Sequence, residues 1–284
     1  MKKKIAVLLA LVMALSCVFI FASCSKPETT EETTAAETEE TTAAEAMEGS
    51  DLEYIKEKGT LVVGITDFKP MDYQDENGEW IGFDADLAKA FAENLGVEVE
   101  FQEITWDNKV LELNGKTIDC VWNGMTLTAE VTAAMACSKA YCNNAQVIVV
   151  PADKAEEYAD AEACKDLQFA VEAGSAGEEI GTENGFNLTP VVDQATALQE
   201  VAAGTSDAAI IDSLMAAAMV GEGTGFDKLT YTASLNSEEY GVGFRMGSDL
   251  VDAFNTFFDA AVADGTVAAV AEQYGVQVLL SNNY

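Results

Sequence analysis

The 284-residue sequence contains no histidine. Imidazole zinc sites and nucleophilic triads that need a His base are therefore excluded outright. Arginine is almost absent too: the single guanidinium is Arg245. Lys and Arg together number 15 against 49 Asp and Glu, a formal net charge of −34. Nucleic acid and anionic lipid surfaces both demand basic patches, so neither is an expected partner. Cysteine occurs six times, yet no C-x-x-C pair exists, which leaves a thiolate metal or redox motif without support. No cofactor and no metal are expected. Cys120, Cys137, Cys142 and Cys164 follow the N-terminal segment; Cys137 and Cys142 are near enough to tempt a disulfide, but the spacings favour buried free thiols.

What is present begins with a basic start, Lys2 to Lys4, an apolar run over 5–21, and Ala22-Ser23-Cys24. A charged start, an apolar stretch and small residues at a cleavage site describe a secretory signal over 1–23. The run is also just long enough to span a bilayer. Cysteine in the first position after the cut decides for cleavage, because its thiol is then free for acylation. The pattern resembles a bacterial lipobox, with Phe21 where Leu is usual and Cys17, after Ser16, as a weaker second site. That resemblance implies a lipid anchor at Cys24 on the outer face of the cytoplasmic membrane, firm if Cys24 carries more than one acyl chain.

Residues 24–50 read as a tether. Thr, Glu and Ala dominate, and the heptad Glu31-Glu32-Thr33-Thr34-Ala35-Ala36-Glu37 recurs from Glu39 to Glu45. Such a stretch cannot bury enough apolar surface to offset the entropy of ordering. Its Thr pairs and like charges weaken the alternative of a Glu/Ala helix. As a flexible coil, roughly 25 residues reach about 25–30 Å. The remainder, about 230 residues, suffices for one large domain or two lobes, and a monomer is expected.

Elements alternate along that remainder. Expected strands lie at 60–65, 97–101, 118–122, 145–150, 169–171, 189–192, 208–211, 228–231 and 240–245. Expected helices fill 84–95 (capped by Asp84, closed by Gly96), 108–113, 128–135, 177–184, 195–203, 214–220, 249–264 and 266–274. Such alternation predicts an α/β protein with largely parallel sheets. Ligands in open α/β sheets sit beyond the carboxyl ends of strands. Four of those ends carry unusual residues: Thr66-Asp67-Phe68, Asn123-Gly124-Met125-Thr126, Ala173-Gly174-Ser175-Ala176-Gly177 and Asp212-Ser213. Gly124 and Gly174 let backbone N–H groups approach a ligand, and Ser175 caps a helix whose N-terminus favours anions. With Trp106 nearby, two carboxylates and an aromatic pair suit a small zwitterion.

These segments resemble the extracellular solute-binding proteins of ABC importers, family 3, the polar amino-acid branch. LVVGITDFKPMDYQDENGEWIGF (61–83) is similar to that family's opening strand and loop, and GFDADLAKAFAENLG (82–96) to its first helix. IDCVWNGMTLTAE (118–130) resembles its ligand loop, VEAGSAGEE and DAAIID its second-lobe contacts, and YGVGFRMGSDLVDAFN with ADGTVAAVAEQYG its C-terminal return. The likeness covers nearly all of 51–275. It implies a two-lobed, type II periplasmic-binding-protein-like α/β fold with the ligand in the inter-lobe cleft. One lobe would be 51–148 plus 235–284 and the other 149–234, with crossings near 147–151 and 231–236.

Carried over by position, the resemblance makes Phe68 and Trp106 aromatic walls, and Asp67 a partner for side-chain polar groups. Gly124 offers a carbonyl and Thr126 a hydroxyl; Asn123 and Met125 lie beside them in the same segment. Ser175 and Ala176 give backbone donors to the α-carboxylate, and Asp212 takes the α-ammonium. One departure stands out: the family usually places an arginine clamp after Thr-Pro-Glu, and here Thr128-Ala129-Glu130 is followed by Val131. Loss of a charge-assisted hydrogen bond, about 1.5–3 kcal/mol, weakens a standard amino acid about tenfold or more. Lys139 or another group substitutes, or helix N-termini suffice, or the ligand lacks a free α-carboxylate. Asn123, which both donates and accepts, would then belong to a changed recognition pattern.

The function implied is capture of an amino acid or related small zwitterion and delivery to a membrane ABC permease, without catalysis. Two alternatives stand beside it. One is an enzyme like the cyclohexadienyl dehydratases on the same fold, with Glu130 or Glu172 as acid or base, although both read better as exposed cap carboxylates. The other is a solute sensor.

Overall fold

The structure, a computed structural model, describes residues 49–277 together with 280 and 281. The signal segment, Cys24 and all but the last two residues of the tether lie outside the described residues. Ser50 opens the described chain by capping α1 (Asp51–Lys58), its Oγ accepting from the Glu53 N–H. There follow β1 (Thr60–Ile65), a short hairpin of β2 (Tyr73–Gln74) and β3 (Trp80–Ile81), α2 (Phe83–Leu95) and β4 (Glu98–Glu103). Next come α3 (Lys109–Asn114), β5 (Cys120–Thr126), α4 (Ala129–Ala134), β6 (Ala136–Cys137) and β7 (Cys142–Asn144). The chain continues through β8 (Gln146–Pro151), β9 (Gln168–Glu172), α5 (Ala176–Glu183), β10 (Asn187–Val191), α6 (Gln194–Ala203) and β11 (Ala208–Asp212). It ends with α7 (Ser213–Met219), β12 (Leu229–Ser234), β13 (Glu238–Phe244), α8 (Leu250–Ala263) and α9 (Thr266–Tyr274).

Two sheets organise these elements. One runs β4-β1-β5-β13-β6, with β7 also on β13; the other runs β10-β9-β11-β8-β12. In the first, β1 is parallel to β4 and β5, and β13 returns antiparallel to β5. In the second, β9 is parallel to β10 and β11, and β8 is antiparallel to β11 and β12. The chain crosses between sheets at Ala145 and comes back over 235–237. β8 pairs within the second sheet from its first residue, Gln146 opposite Asp212.

The period-2 alternation of a strand sorts β8 between two cores: Val147 and Val149 join one cluster, Ile148 and Val150 the other. Against the first sheet, α2 lays down Leu87, Ala88, Phe91 and Ala92, an i, i+4 stripe. Phe254 on α8 meets Trp122 and Phe91 edge-on, with ring centroids 4.9 and 5.5 Å apart, the geometry the ring quadrupole prefers.

Two sequence expectations differ from the structure. Residues 123–126 form the second half of β5 rather than a loop. Met125 and Thr126 pair with Gly241 and Tyr240 of β13, a partner from the far end of the chain. Asp84 does not cap α2, which starts at Phe83 behind Gly82 without a side-chain cap. Asp84 is instead fully buried, its Oδ2 accepting from the Gly124 N–H and the Tyr141 hydroxyl, both at 2.7 Å. Burial raises the pKa of its carboxyl. The four described cysteines are free thiols, as the spacing favoured: Cys120, Cys142 and Cys164 are buried and Cys137 is half-buried. Among the described residues no helix is long and apolar enough to cross a membrane.

Candidate functional site

A cavity of about 380 Å³ opens where strand ends of both sheets meet, within the range of small-molecule sites. Nine of the ten ligand-binding residues expected from sequence line it: Phe68, Trp106, Asn123, Gly124, Met125, Thr126, Ser175, Ala176 and Asp212. Asp67 does not. It is exposed at the rim, where partial burial and the like charge of Asp193 raise its pKa.

The aromatic wall is built from the backbone up. Phe68 is anchored by its N–H, which donates to the Asp72 carbonyl at 2.7 Å, and its ring stands edge-on to Tyr240, centroids 6.3 Å apart. Gly124 lies behind that ring at φ +55, and a Cβ there would come within 2.4 Å of Phe68 Cε1. Only glycine satisfies both the left-handed backbone and the space. Across the cavity, Gly174 at φ +70 leaves equally little room, with Asp107 Cα 2.9 Å from a would-be Cβ. The Trp106 ring carries the Lys109 ammonium 5.0 Å from its centroid.

Several expected ligand groups already have partners. The Asn123 amide accepts from the Thr66 N–H at 3.0 Å and donates to the Thr66 hydroxyl at 2.8 Å, tying β5 to the end of β1. The Thr126 hydroxyl donates to Glu238 Oε1 at 2.8 Å. Ser175 Oγ accepts from the Glu178 N–H at 3.2 Å, the helix cap foreseen for α5. Lys109 Nζ donates to the carbonyls of Trp106 (3.3 Å) and Gly174 (2.7 Å). The second bond spans the cavity, joining the helix after β4 to the loop after β9.

Asp212 sits at the centre of a polar hub that sequence reasoning missed. Its Oδ1 accepts from the Asn144 amide, from Gln146 Nε2 at 3.0 Å and from the Tyr240 hydroxyl at 2.6 Å; its Oδ2 accepts from Gln194 Nε2 at 2.5 Å. Glu238 Oε1 accepts from the same Asn144 (2.7 Å) and Gln146 (2.8 Å). Asn144 and Gln146 flank the first crossing between the sheets and Glu238 the second. Burial and the nearby Glu238 charge push the Asp212 pKa up despite the donors.

Charge is lopsided around the cavity. Asp107, Glu130, Glu172, Glu178, Glu179, Glu183 and Asp212 line it, against Lys109 alone. Glu172 departs most from its sequence reading: it is not an exposed cap but the last residue of β9, 4% exposed. Its Oε1 has no hydrogen-bond partner. Burial, with Asp212 and Asp193 adding repulsion, pushes its pKa up to about 8. A charge directly after Phe169-Ala170-Val171, at the carboxyl end of a buried strand, was the signal that could have marked it. The cation proposed to stand in for a clamp is elsewhere, and so is the sole arginine. Lys139 pairs with Asp259, both distances 3.0 Å, on the surface. Arg245 is buried against Asp51 and Asp119 at 3.0 and 3.3 Å, and also donates to the Leu113 and Ile118 carbonyls. Val131 lines the cavity as a buried apolar side chain. Among the described residues no cluster of ligands suits a metal ion.

Known proteins share this architecture. The L-cystine-binding protein TcyJ of Escherichia coli K12 is 29% identical over 228 residues, covering 78% of this chain and 85% of its own. An ABC uptake transporter substrate-binding protein from Streptococcus pneumoniae, solved with bound histidine, superposes with a TM-score of 0.74 at 27% identity, covering 82% of this chain and 99% of its own. An ancestral amino acid-binding protein described as a precursor of cyclohexadienyl dehydratase gives a TM-score of 0.73 at 33% identity, covering 79% and 99%. These structural neighbours are two-lobed amino-acid-binding proteins, and this chain shares their α/β fold. A family model matches residues 61–277, and the chain belongs to the bacterial extracellular solute-binding proteins, family 3.

Proposed function

We propose that the protein captures a small amino-acid-like solute outside the cell and hands it to an ABC permease, held at the membrane by a lipidated Cys24. The observation that carries the reading is the cavity between strand ends of both sheets, with Phe68 and Trp106 as its aromatic surfaces and Asp212 at its base. We assign β1–β7 and β13 with the C-terminal helices to one lobe and β8–β12 to the other, so solute contacting both stabilises the closed arrangement. Asp212 then meets the ammonium of the solute. Asn123 and Thr126 act as framework, and Gly124, Met125, Ser175 and Ala176 supply backbone and shape.

A thermal-shift screen of the purified chain against amino acids, cystine, methylated amines and dipeptides tests the reading. At least one should raise the melting temperature, and replacing Asp212 with Ala should abolish that shift. No shift from any of them, or an undiminished shift in the variant, counts against it. Cys24→Ala should release the chain from membranes; persistent tight association contradicts the anchor.

A second reading draws on Glu172, whose buried carboxyl holds its proton near neutral pH, as a general acid requires. With the precursor of cyclohexadienyl dehydratase among its structural neighbours, turnover of prephenate or arogenate would establish an enzyme instead.

A further inference from the structure

The cavity is short of anything that would hold a carboxylate. Seven of its lining side chains are acidic and one is cationic. That one, Lys109, is committed to two backbone carbonyls and to the Trp106 ring. The helix N-terminus that would otherwise receive an anion holds one already: the Gly174 N–H donates to Glu178 Oε2 at 2.7 Å, from the first turn of α5 itself. An incoming carboxylate would have to displace Glu178 and settle beside Glu179, in a site whose field favours cations. Val131, on the opposite wall, contributes only an apolar side chain.

An independent feature points to what the cavity does take. Glu172 is 4% exposed, lines the cavity, and its Oε1 accepts no hydrogen bond from any described group. A buried carboxyl oxygen left without a donor is costly unless a ligand supplies one. Asp212 lies in the same lining. The Phe68 ring, whose quadrupole attracts positive charge, lines the same cavity, and Trp106 already carries one ammonium in this way, that of Lys109.

We infer that the solute is a small organic cation without a carboxylate, an amine, amidine or guanidine whose N–H groups meet Glu172 and Asp212. This rests on the solute-capture reading above and narrows its ligand class. Nothing is transformed; the cation enters the cavity beside Phe68 and supplies the donor that Glu172 Oε1 lacks.

Matched pairs differing only in the carboxylate give the test: agmatine against arginine, cadaverine against lysine, putrescine against ornithine, each titrated calorimetrically into the full chain. The decarboxylated member of the best-binding pair should bind about tenfold tighter. A ratio above threefold upholds the inference and anything lower overturns it. If amino acids bind and their decarboxylated partners do not, solute capture stands and this inference falls. If no member of these pairs binds, this inference falls; if the wider thermal-shift screen is silent too, solute capture falls with it. Glu172→Gln should weaken the preferred amine by about tenfold while the circular dichroism melt stays cooperative; undiminished binding in that variant also overturns the assignment. Should the variant fail to fold, the paired titrations on the native sequence decide alone.

Discussion

Glu172 makes the solute-free protein's stability depend on pH in a direction opposite to that of most carboxylates. Its pKa stands at about 8 in the folded chain against an ordinary 4.5. Between those values the unfolded chain gives up the proton while the native chain keeps it. The native state then binds more protons, so stability falls as pH rises, by at most about 1.4 kcal/mol per pH unit. The contribution is complete below about pH 4.5 and lost as pH climbs towards 8. Glu172→Gln removes the titration with little change of shape. Urea unfolding of the solute-free proteins should find variant and parent nearly equal at about pH 5. At about pH 7.5 the variant should be more stable by about 2 kcal/mol, a figure below the full slope to allow for relaxation around the charge. Asp84 and Asp212, whose pKa values are also raised by burial, are present in both proteins and largely cancel in the difference. A gap between variant and parent that does not change with pH would refute the assignment of this titration to Glu172.

Two further outcomes follow from packing. Gly124→Ala drives a methyl to within 2.4 Å of Phe68 Cε1 and 3.2 Å of the Tyr240 ring; chemical denaturation should show a loss of about 1–3 kcal/mol, with solute-induced stabilisation reduced as well. Arg245→Met leaves Asp51 and Asp119 buried without their shared guanidinium and should cost about 3–5 kcal/mol; a triple variant that also neutralises both aspartates should recover much of it.

The alternation of strands and helices, the closing Gly96 and the cap at Ser175 were legible because each is written in a few consecutive residues. The same holds for the strand ends, which led to nine residues of the cavity wall. The failures share one cause. Residues 123–126 read as a loop because their partner, β13, lies more than a hundred positions away, and glycine in an isolated segment looks like a turn. Asp84 fits a helix cap locally; only the arrival of Gly124 and Tyr141 makes it a buried acceptor. Glu172 passed for a surface charge because burial at a strand's end is set by what folds over it. The hub around Asp212 draws on Asn144, Gln146, Gln194, Tyr240 and Glu238, none adjacent to it in sequence. Hydrogen-bond complementarity across such separations leaves no local signature.

That hub fastens the two crossings between the sheets to one another and also places an acidic group in the lining of the cavity. On the proposed reading, a substitution that retunes the grip on a guest retunes the pivot as well, so appetite and motion are tied together at Asp212, Asn144 and Gln146. The first turn of α5 is under no such double duty: Glu178 accepts from the Gly174 N–H of its own loop, away from both crossings. Changes of diet along a lineage should therefore accumulate there first, leaving the pivot untouched.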